Sequence, residues 1–280
     1  MAADHHDCPG ARTLDMADER AVRAVLSEVK PDIVAVPAGI AHVDHCELHP
    51  QETRRVNVEA TAGVARACQT AGARMVFFSS DYVFDGTKGA YREDDGVHPL
   101  NEYGRQKAET ESAVLAVSAK NLVIRTSSVY GWEWAGKNFV LQILRRLCAG
   151  EAMKVAADIL CNPTYAENLA EVVAALAETG SGGIFHVVGG ERLKRLEFAR
   201  LAAKTFGLNG SLLIPVSSAE FPSPTRRPLD ASLCTDKIRA AVGVPLMNAA
   251  EGLEHMRGSH TAWTEHARAR LPATQFRVEI

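Results

Sequence analysis

Three short apolar runs separated by stretches of helical periodicity constrain this chain more than any other feature. They read DIVAVPA over residues 32–38, RMVFFSS over 74–80 and NLVIRTSS over 121–128. Runs of this length, bounded by turn residues and lacking polar alternation, suit strands buried on both faces of a parallel sheet. Helix patterns lie between them. Asp18 stands as an N-cap before an apolar stripe of Val22, Val25, Leu26 and Val29, which Pro31 closes. A second helix carries Val56, Ala60, Val64 and Ala67 and stops near Gly72, and a third runs from about Glu102 to Val117. Strands and helices alternating through short connections predict βαβ units, a parallel sheet and right-handed crossovers.

After Gly131 the rhythm loosens. Helices are predicted over about 138–149, in PTYAENLAEVVAALAETG and in RLEFARLAAKTFG, with strands at MKVAAD and GIFHVVG. The expected organisation is a sheet domain over 14–150, then a smaller substrate lobe over 151–256 with elements returning to the sheet. Residues 1–13 read as a disordered leader and 257–280 as a loosely held tail. A chain of 280 residues with 46% apolar and 23% charged residues is ordinary for a soluble globular protein. A net charge of -3 supplies neither a basic stripe for nucleic acid nor a polybasic membrane anchor. No apolar run reaches the length of a membrane span, and the first fifteen residues have no apolar signal-peptide core. Six cysteines without CxxC spacing read as free thiols, and a cytoplasmic location is expected.

The strongest chemical signal is NEYGRQKAE. Tyr103 and Lys107 stand four apart at the start of a helix and share a face. Lys107 beside the phenol is expected to lower the Tyr103 pKa toward the working range. Ser79 and Ser80 end a buried strand, where open α/β sheets place their ligands, so a hydroxyl there can meet the oxygen that the phenol protonates. HVDHCELH offers His42, His45, Cys46 and His49 at spacings that suit zinc.

The run FFSSDYVFDGTKGAYREDDGVHPLNEYGRQKAETE resembles the extended short-chain dehydrogenase/reductase superfamily, and more narrowly the dTDP-4-dehydrorhamnose reductases and other sugar-nucleotide reductases. The resemblance continues through LDMAD, AGIAHVDHCELHP, RRVNVEATAGVARAC, LVIRTSSVYG, GKNFV, NPTYAENLAE and GIFHVVG to FPSPTRRPLDASLCTDKI. It implies a Rossmann-like doubly wound parallel sheet with a smaller C-terminal lobe, NADP(H) or NAD(H) as cofactor, and a nucleotide-sugar substrate. Ser80, Tyr103 and Lys107 fall on the family's catalytic triad. There Tyr103 would protonate a C4 carbonyl, Lys107 would hold the ribose hydroxyls and Ser80 would polarise the carbonyl. Asp15 falls on the adenine side of the cofactor, Ala38 and Gly39 beneath it, and Thr126 and Ser127 on the loop near the nicotinamide. Val43, Asp44, Tyr82, Val83, Phe84, Asn138 and Arg227 match segments that line the sugar-nucleotide pocket, with Arg227 a bidentate partner for pyrophosphate. The histidine-rich segment matches a family loop that implies no metal.

Three departures accompany the resemblance. Ser128 stands where RTSW is usual, which removes an aromatic wall from the sugar pocket. PAG over 37–39 replaces a polar residue and two alanines. No G-x-x-G-x-x-G turn between a strand and a helix precedes Leu14. TLDMAD then reads as the parent fold's third strand in an N-terminally truncated sheet, leaving the DIVAVPA strand unpaired along one edge and self-association plausible. The leading reading is an NAD(P)-dependent reductase of a nucleotide-linked 4-keto sugar. The alternative is a non-catalytic nucleotide-binding or regulatory protein on the same scaffold, like the regulatory subunit of methionine adenosyltransferase. An epimerase or dehydratase fits less well, because SSDYVFDG follows the reductase pattern.

Overall fold

The structure is a computed structural model and describes residues 3–4, 12–133 and 135–261. Most of the expected leader and the tail beyond residue 261 lie outside the described residues. β1 (Ala3–Asp4) pairs in parallel with β2 (Arg12–Thr13), and this two-residue ladder stands apart from the main sheet. α1 (Glu19–Val29) starts where predicted. The Asp18 carboxylate accepts from the backbone N–H of Arg20 and Ala21, both at 3.0 Å, which satisfies two of the donors a helix start leaves open. Lys30, at φ +48°, ends the helix in the left-handed region just before Pro31.

β3 (Ile33–Val36) leads to α2 (Val43–Leu48), α3 (Pro50–Arg54), a π-helical turn (Arg55–Ala60) and α4 (Thr61–Thr70). β4 (Arg74–Ser80) and α5 (Glu102–Val117) follow, with Asn101 capping α5 by accepting from Gly104 N at 2.9 Å. The chain continues through β5 (Leu122–Thr126), β6 (Val129–Tyr130), α6 (Phe139–Cys148), β7 (Met153–Ala156), β8 (Leu160–Cys161) and β9 (Thr164–Tyr165). It closes with α7 (Ala166–Glu178), β10 (Gly183–His186), β11 (Leu193–Lys194), α8 (Arg195–Thr205), β12 (Leu213–Val216), α9 (Asp236–Ala241) and α10 (Ala249–Gly258).

The central sheet is parallel throughout, in the order β10-β5-β4-β3. Helices cover both faces. On one, Val22 and Leu26 of α1, Val64 and Cys68 of α4 and Val114 of α5 pack on Met75, Phe77 and Val123. On the other, Leu169, Val172 and Leu176 of α7 and Ile238 of α9 pack on Val76, Leu122 and Ile124. Each such side chain contributes about 1.5–3 kcal/mol by leaving water. A separate core joins α6, α8 and α10 through Ile143, Leu144, Phe198, Ala202, Leu253 and Met256. Thus α6 packs into the C-terminal lobe, while α7 and β10 return to the sheet.

Two local expectations differ from the observed fold. Burial on both faces holds for β4 and β5 but not for β3, where Ile33 is 40% exposed. β3 is the sheet edge, and among the described residues only β4 pairs with it. In the helical run that follows, α-helical spacing places Val56 on the inner stripe. The π turn inserts wider i→i+5 spacing and re-phases the helix, so Asn57 and Val58 are buried and Val56 is only half-buried.

Candidate active site

The carboxyl ends of β3, β4 and β5 and the first turns of α5 bring the predicted chemistry together. Along β4 the alternation of side chains separates the two serines. Ser79 Oγ donates to Glu111 Oε1 at 2.5 Å, in a buried network where Arg125 pairs with Glu111 at 2.7 Å. Ser80 points the other way, donates to Asp81 Oδ1 at 2.9 Å and accepts from Tyr82 N at 3.1 Å, and its hydroxyl favours the ionised form of the Tyr103 phenol. Ser79 therefore serves the core, and Ser80 meets the phenol.

Asp81 has no counterpart in the motif reading of the sequence. Its carboxylate also accepts from Ser127 Oγ at 2.7 Å, so it ties the end of β4 to the loop after β5. Burial pushes its pKa up to about 6, against the pull of the two serine hydroxyls. The motif gave no sign of this, because an Asp after a strand reads as an ordinary turn residue.

The expected depression of the Tyr103 pKa is not what the geometry produces. Burial raises it above the ordinary phenol value, and the Ser80 hydrogen bond opposes that only in part. Lys107 Nζ is not on the phenolic oxygen; it donates to Phe78 O at 2.8 Å and lies 5.8 Å from the centre of the Tyr103 ring. Burial lowers the Lys107 pKa to about 8. The phenol is thus held protonated beside Ser80, as a proton donor requires.

The segments expected near the cofactor take the following places. Ala38 and Gly39 are exposed at the carboxyl end of β3. Gly39 has φ +155°, and a Cβ there would lie 3.1 Å from Asn57 Oδ1 and 4.0 Å from Lys107 Nζ. Asn57, turned inward by the π turn, holds this loop by accepting from Ile40 N at 2.8 Å and donating to Gln106 Oε1 at 2.9 Å. Thr126 Oγ1 is buried without a hydrogen-bond partner, and Ser127 is spoken for by Asp81. Asp15 is exposed and accepts from Ala17 N at 2.9 Å in the turn before α1. An open loop over a lysine and an orphaned hydroxyl at the strand ends fit the nicotinamide ribose of a dinucleotide. Among the described residues no glycine-rich turn joins a strand to a helix N-terminus.

On the substrate side, Tyr82 is half-buried and meets Tyr103 edge-on, with ring centres 6.0 Å apart. Val83 and Phe84 are fully buried in a small core, where Phe84 stacks on Tyr91 at 4.1 Å, so a ligand meets this loop through Tyr82. Val43 opens α2, and Asp44 beside it accepts from Ser223 Oγ at 2.8 Å and pairs with Arg227 at 3.3 Å. Those contacts hold the Asp44 carboxyl below the usual range despite partial burial. Asn138 caps α6, accepting from Leu141 N at 3.2 Å and donating to Gly131 O at 2.8 Å. Ser128 is exposed in the left-handed region at φ +45°. In the histidine-rich segment, His42 Nδ1 accepts from His45 N as the α2 cap, and the His45 and His49 rings lie 4.5 Å apart.

Known proteins share this architecture. The family model described as the RmlD substrate binding domain matches residues 2–261. A dTDP-4-dehydrorhamnose reductase from Aggregatibacter actinomycetemcomitans is 32% identical, over 87% of this chain and 86% of the relative. One from Sinorhizobium fredii is also 32% identical, over 85% of this chain and 84% of the relative. The crystal structure of dTDP-4-dehydrorhamnose reductase from Bacillus anthracis in complex with NADP superposes with a TM-score of 0.83 at 30% identity, covering 88% of this chain and 87% of that one. With Ser80, Tyr103 and Lys107 gathered at the strand ends of a Rossmann-like sheet, this chain belongs to the RmlD substrate-binding-domain family, among the NAD(P)-dependent oxidoreductases related to dTDP-4-dehydrorhamnose reductase.

Proposed function

We propose that the chain reduces the C4 carbonyl of a nucleotide-linked 4-keto sugar, with Tyr103 as the proton donor. The observation that carries this reading is the gathering of Ser80, at the carboxyl end of β4, with Tyr103 and Lys107 in the first turns of α5, where Lys107 Nζ lies 5.8 Å from the centre of the Tyr103 ring. A carbonyl oxygen placed between the two hydroxyls accepts from Ser80 and takes the phenolic proton as its negative charge grows. Lys107, with one N–H on Phe78 O, keeps two donors for ribose hydroxyls beneath the Gly39 loop, and its positive charge stabilises the phenolate once the proton has left. Asp81 fixes Ser80 against Ser127 and so sets the hydroxyl geometry. The bound dihydronicotinamide supplies the hydride in this reaction class. Asp15, Ala38, Thr126 and Ser127 are assigned to the cofactor side, and Val43, Asp44, Tyr82, Asn138 and Arg227 to the nucleotide sugar. Ser128, small and exposed, leaves room on the sugar side.

The test is NADPH oxidation with dTDP-4-dehydrorhamnose as substrate. Tyr103→Phe should lower turnover by at least about a hundredfold while leaving the melting temperature unchanged. The second reading is a nucleotide-binding protein without turnover on the same scaffold. No NADPH oxidation, together with no NADPH binding by calorimetry at millimolar cofactor, would overturn the reductase reading in its favour.

A further inference from the structure

One turn beyond Lys107, α5 also carries Glu111, a carboxylate only 3% exposed. Arg125 of β5, 2% exposed, forks onto it, with Nε donating to Oε1 at 2.9 Å and Nη2 to Oε2 at 2.7 Å. Ser79 Oγ donates to the same Oε1 at 2.5 Å. The remaining Arg125 amino group reaches Glu93 O and His186 Nε2, both at 3.4 Å. Ser79 and Arg125 are partners in the β4–β5 ladder, and the next pair along it is Ser80 and Thr126. The buried ion pair thus lies one residue below the row that carries the chemistry.

Such a pair is a weak source of stability, because withdrawing both charges from water offsets most of their attraction. What it adds over the apolar packing of Val114 on Phe77 and Val123 is direction. A guanidinium fork fixes the distance and the angle of the carboxylate it holds, whereas apolar surfaces slide past one another. Among the described residues two side chains of α5 hydrogen-bond to strands of the sheet: Lys107, to Phe78 O at 2.8 Å, and Glu111. Gln106 and Thr110 run sideways instead, to Thr53 and to Asn57 in the neighbouring helical run. Lys107 has ribose hydroxyls to hold in the reading above, which leaves Glu111 as the polar tie between helix and sheet with no second task. Tyr103 lies eight residues up the same helix, about 12 Å along its axis, so a tilt at Glu111 is carried to the phenol.

We propose that Glu111 and Arg125 are positioning residues for the reduction: their ion pair, with Ser79, locks α5 onto β4 and β5 so that Tyr103 and Lys107 stand in register with Ser80 and Thr126. The inference rests on the reductase reading above. Neither residue reaches the reacting atoms; both act through the elements they join. Reacting groups must be held to within about 1 Å, and a misplacement of that size costs about a hundredfold in rate. An apolar pair in the same place would keep the layers packed and lose the register. Arg125 stands in a strand run otherwise apolar at its core, and the carboxylate that answers it lies 14 positions earlier, on the helix that carries the phenol.

The experiment replaces both charges together, Glu111→Leu with Arg125→Met, so that neither is left buried alone, and follows NADPH oxidation by the full chain with dTDP-4-dehydrorhamnose. The double variant should melt within about 5 °C of the wild-type chain. Its kcat should fall roughly 10- to 100-fold, with the KM of either substrate within about threefold. A folded double variant with wild-type kcat, or one whose loss lies in KM, overturns the proposal. Ser79→Ala removes one strut and leaves the ion pair, and should lower kcat roughly three- to tenfold at unchanged KM. If the double variant does not fold, wild-type kcat in Ser79→Ala overturns the proposal instead. Hydrogen exchange adds a readout that needs no turnover. In the variant used, amides 104–107 should exchange at least about tenfold faster, while those of α7 on the other face of the sheet keep their wild-type rates. Wild-type exchange at 104–107 overturns the lock. A wild-type chain that oxidises no NADPH fails the reductase reading, and the exchange rates then judge the lock by themselves.

Discussion

Asp81 is held between Ser80 and Ser127 with almost none of its surface in water, and this sets a pH signature for one residue. Its carboxyl pKa rises from 3.8 to about 6 on folding, so the folded state binds the proton more tightly than the unfolded chain. The protonated form therefore favours folding. Stability from this group is fully present below about pH 4, declines as pH rises toward 6, and above 6 amounts to a cost of up to about 3 kcal/mol. Asp81→Asn, neutral at every pH, should stabilise the chain at pH 7.5 and lose that advantage at pH 4. Urea denaturation at the two pH values measures it, and a pH-independent difference would contradict the account. Tyr103, Lys107 and a serine at the strand end were legible from spacing and strand position, and the family resemblance singled out Ser80 over Ser79. Asp81 was not, since its meaning lies in the two serines that folding packs against it.

At the scale of elements, α5 is the piece that brings phenol, ammonium and serine together. Its boundaries follow from sequence, with Asn101 as cap and Val117 as the last helical residue. How close it comes to β4 depends on Gly104. A Cβ at that position would sit within the van der Waals envelope of Tyr82 O and 2.9 Å from Pro99 Cβ. Gly104→Ala should therefore push the first turn of α5 away from the turn after Ser80. The expected cost is roughly 1–3 kcal/mol in urea denaturation, with a weaker Tyr103–Ser80 contact. A change below about 0.5 kcal/mol would mean that the helix start has slack. The π turn before α4 is the counter-example, an element hidden from sequence. A uniform 3.6-residue period assigns Val56 inward, whereas one widened turn delivers Asn57 to the Gly39 loop and Gln106.

For the whole molecule, the sheet ends at β3 among the described residues, and Ile33 shows 40% of its surface there. An exposed apolar edge with unpaired backbone groups favours pairing between copies. Ile33→Lys should reduce concentration-dependent light scattering without lowering the melting temperature; scattering that persists unchanged would place self-association elsewhere. By itself the sequence determined the alternation of strands and helices, the parallel sheet, the unpaired edge at β3 and the pairing of Tyr103 with Lys107, because periodicity, caps and i,i+4 spacing are local properties of a chain. Only the tertiary structure decided which serine turns into the core and which toward the phenol, that burial raises the Tyr103 pKa rather than lowering it, and that Asp81 ties Ser80 to Ser127. Each of those depends on desolvation or on contacts between residues far apart in the chain, and neither is set until the layers have packed.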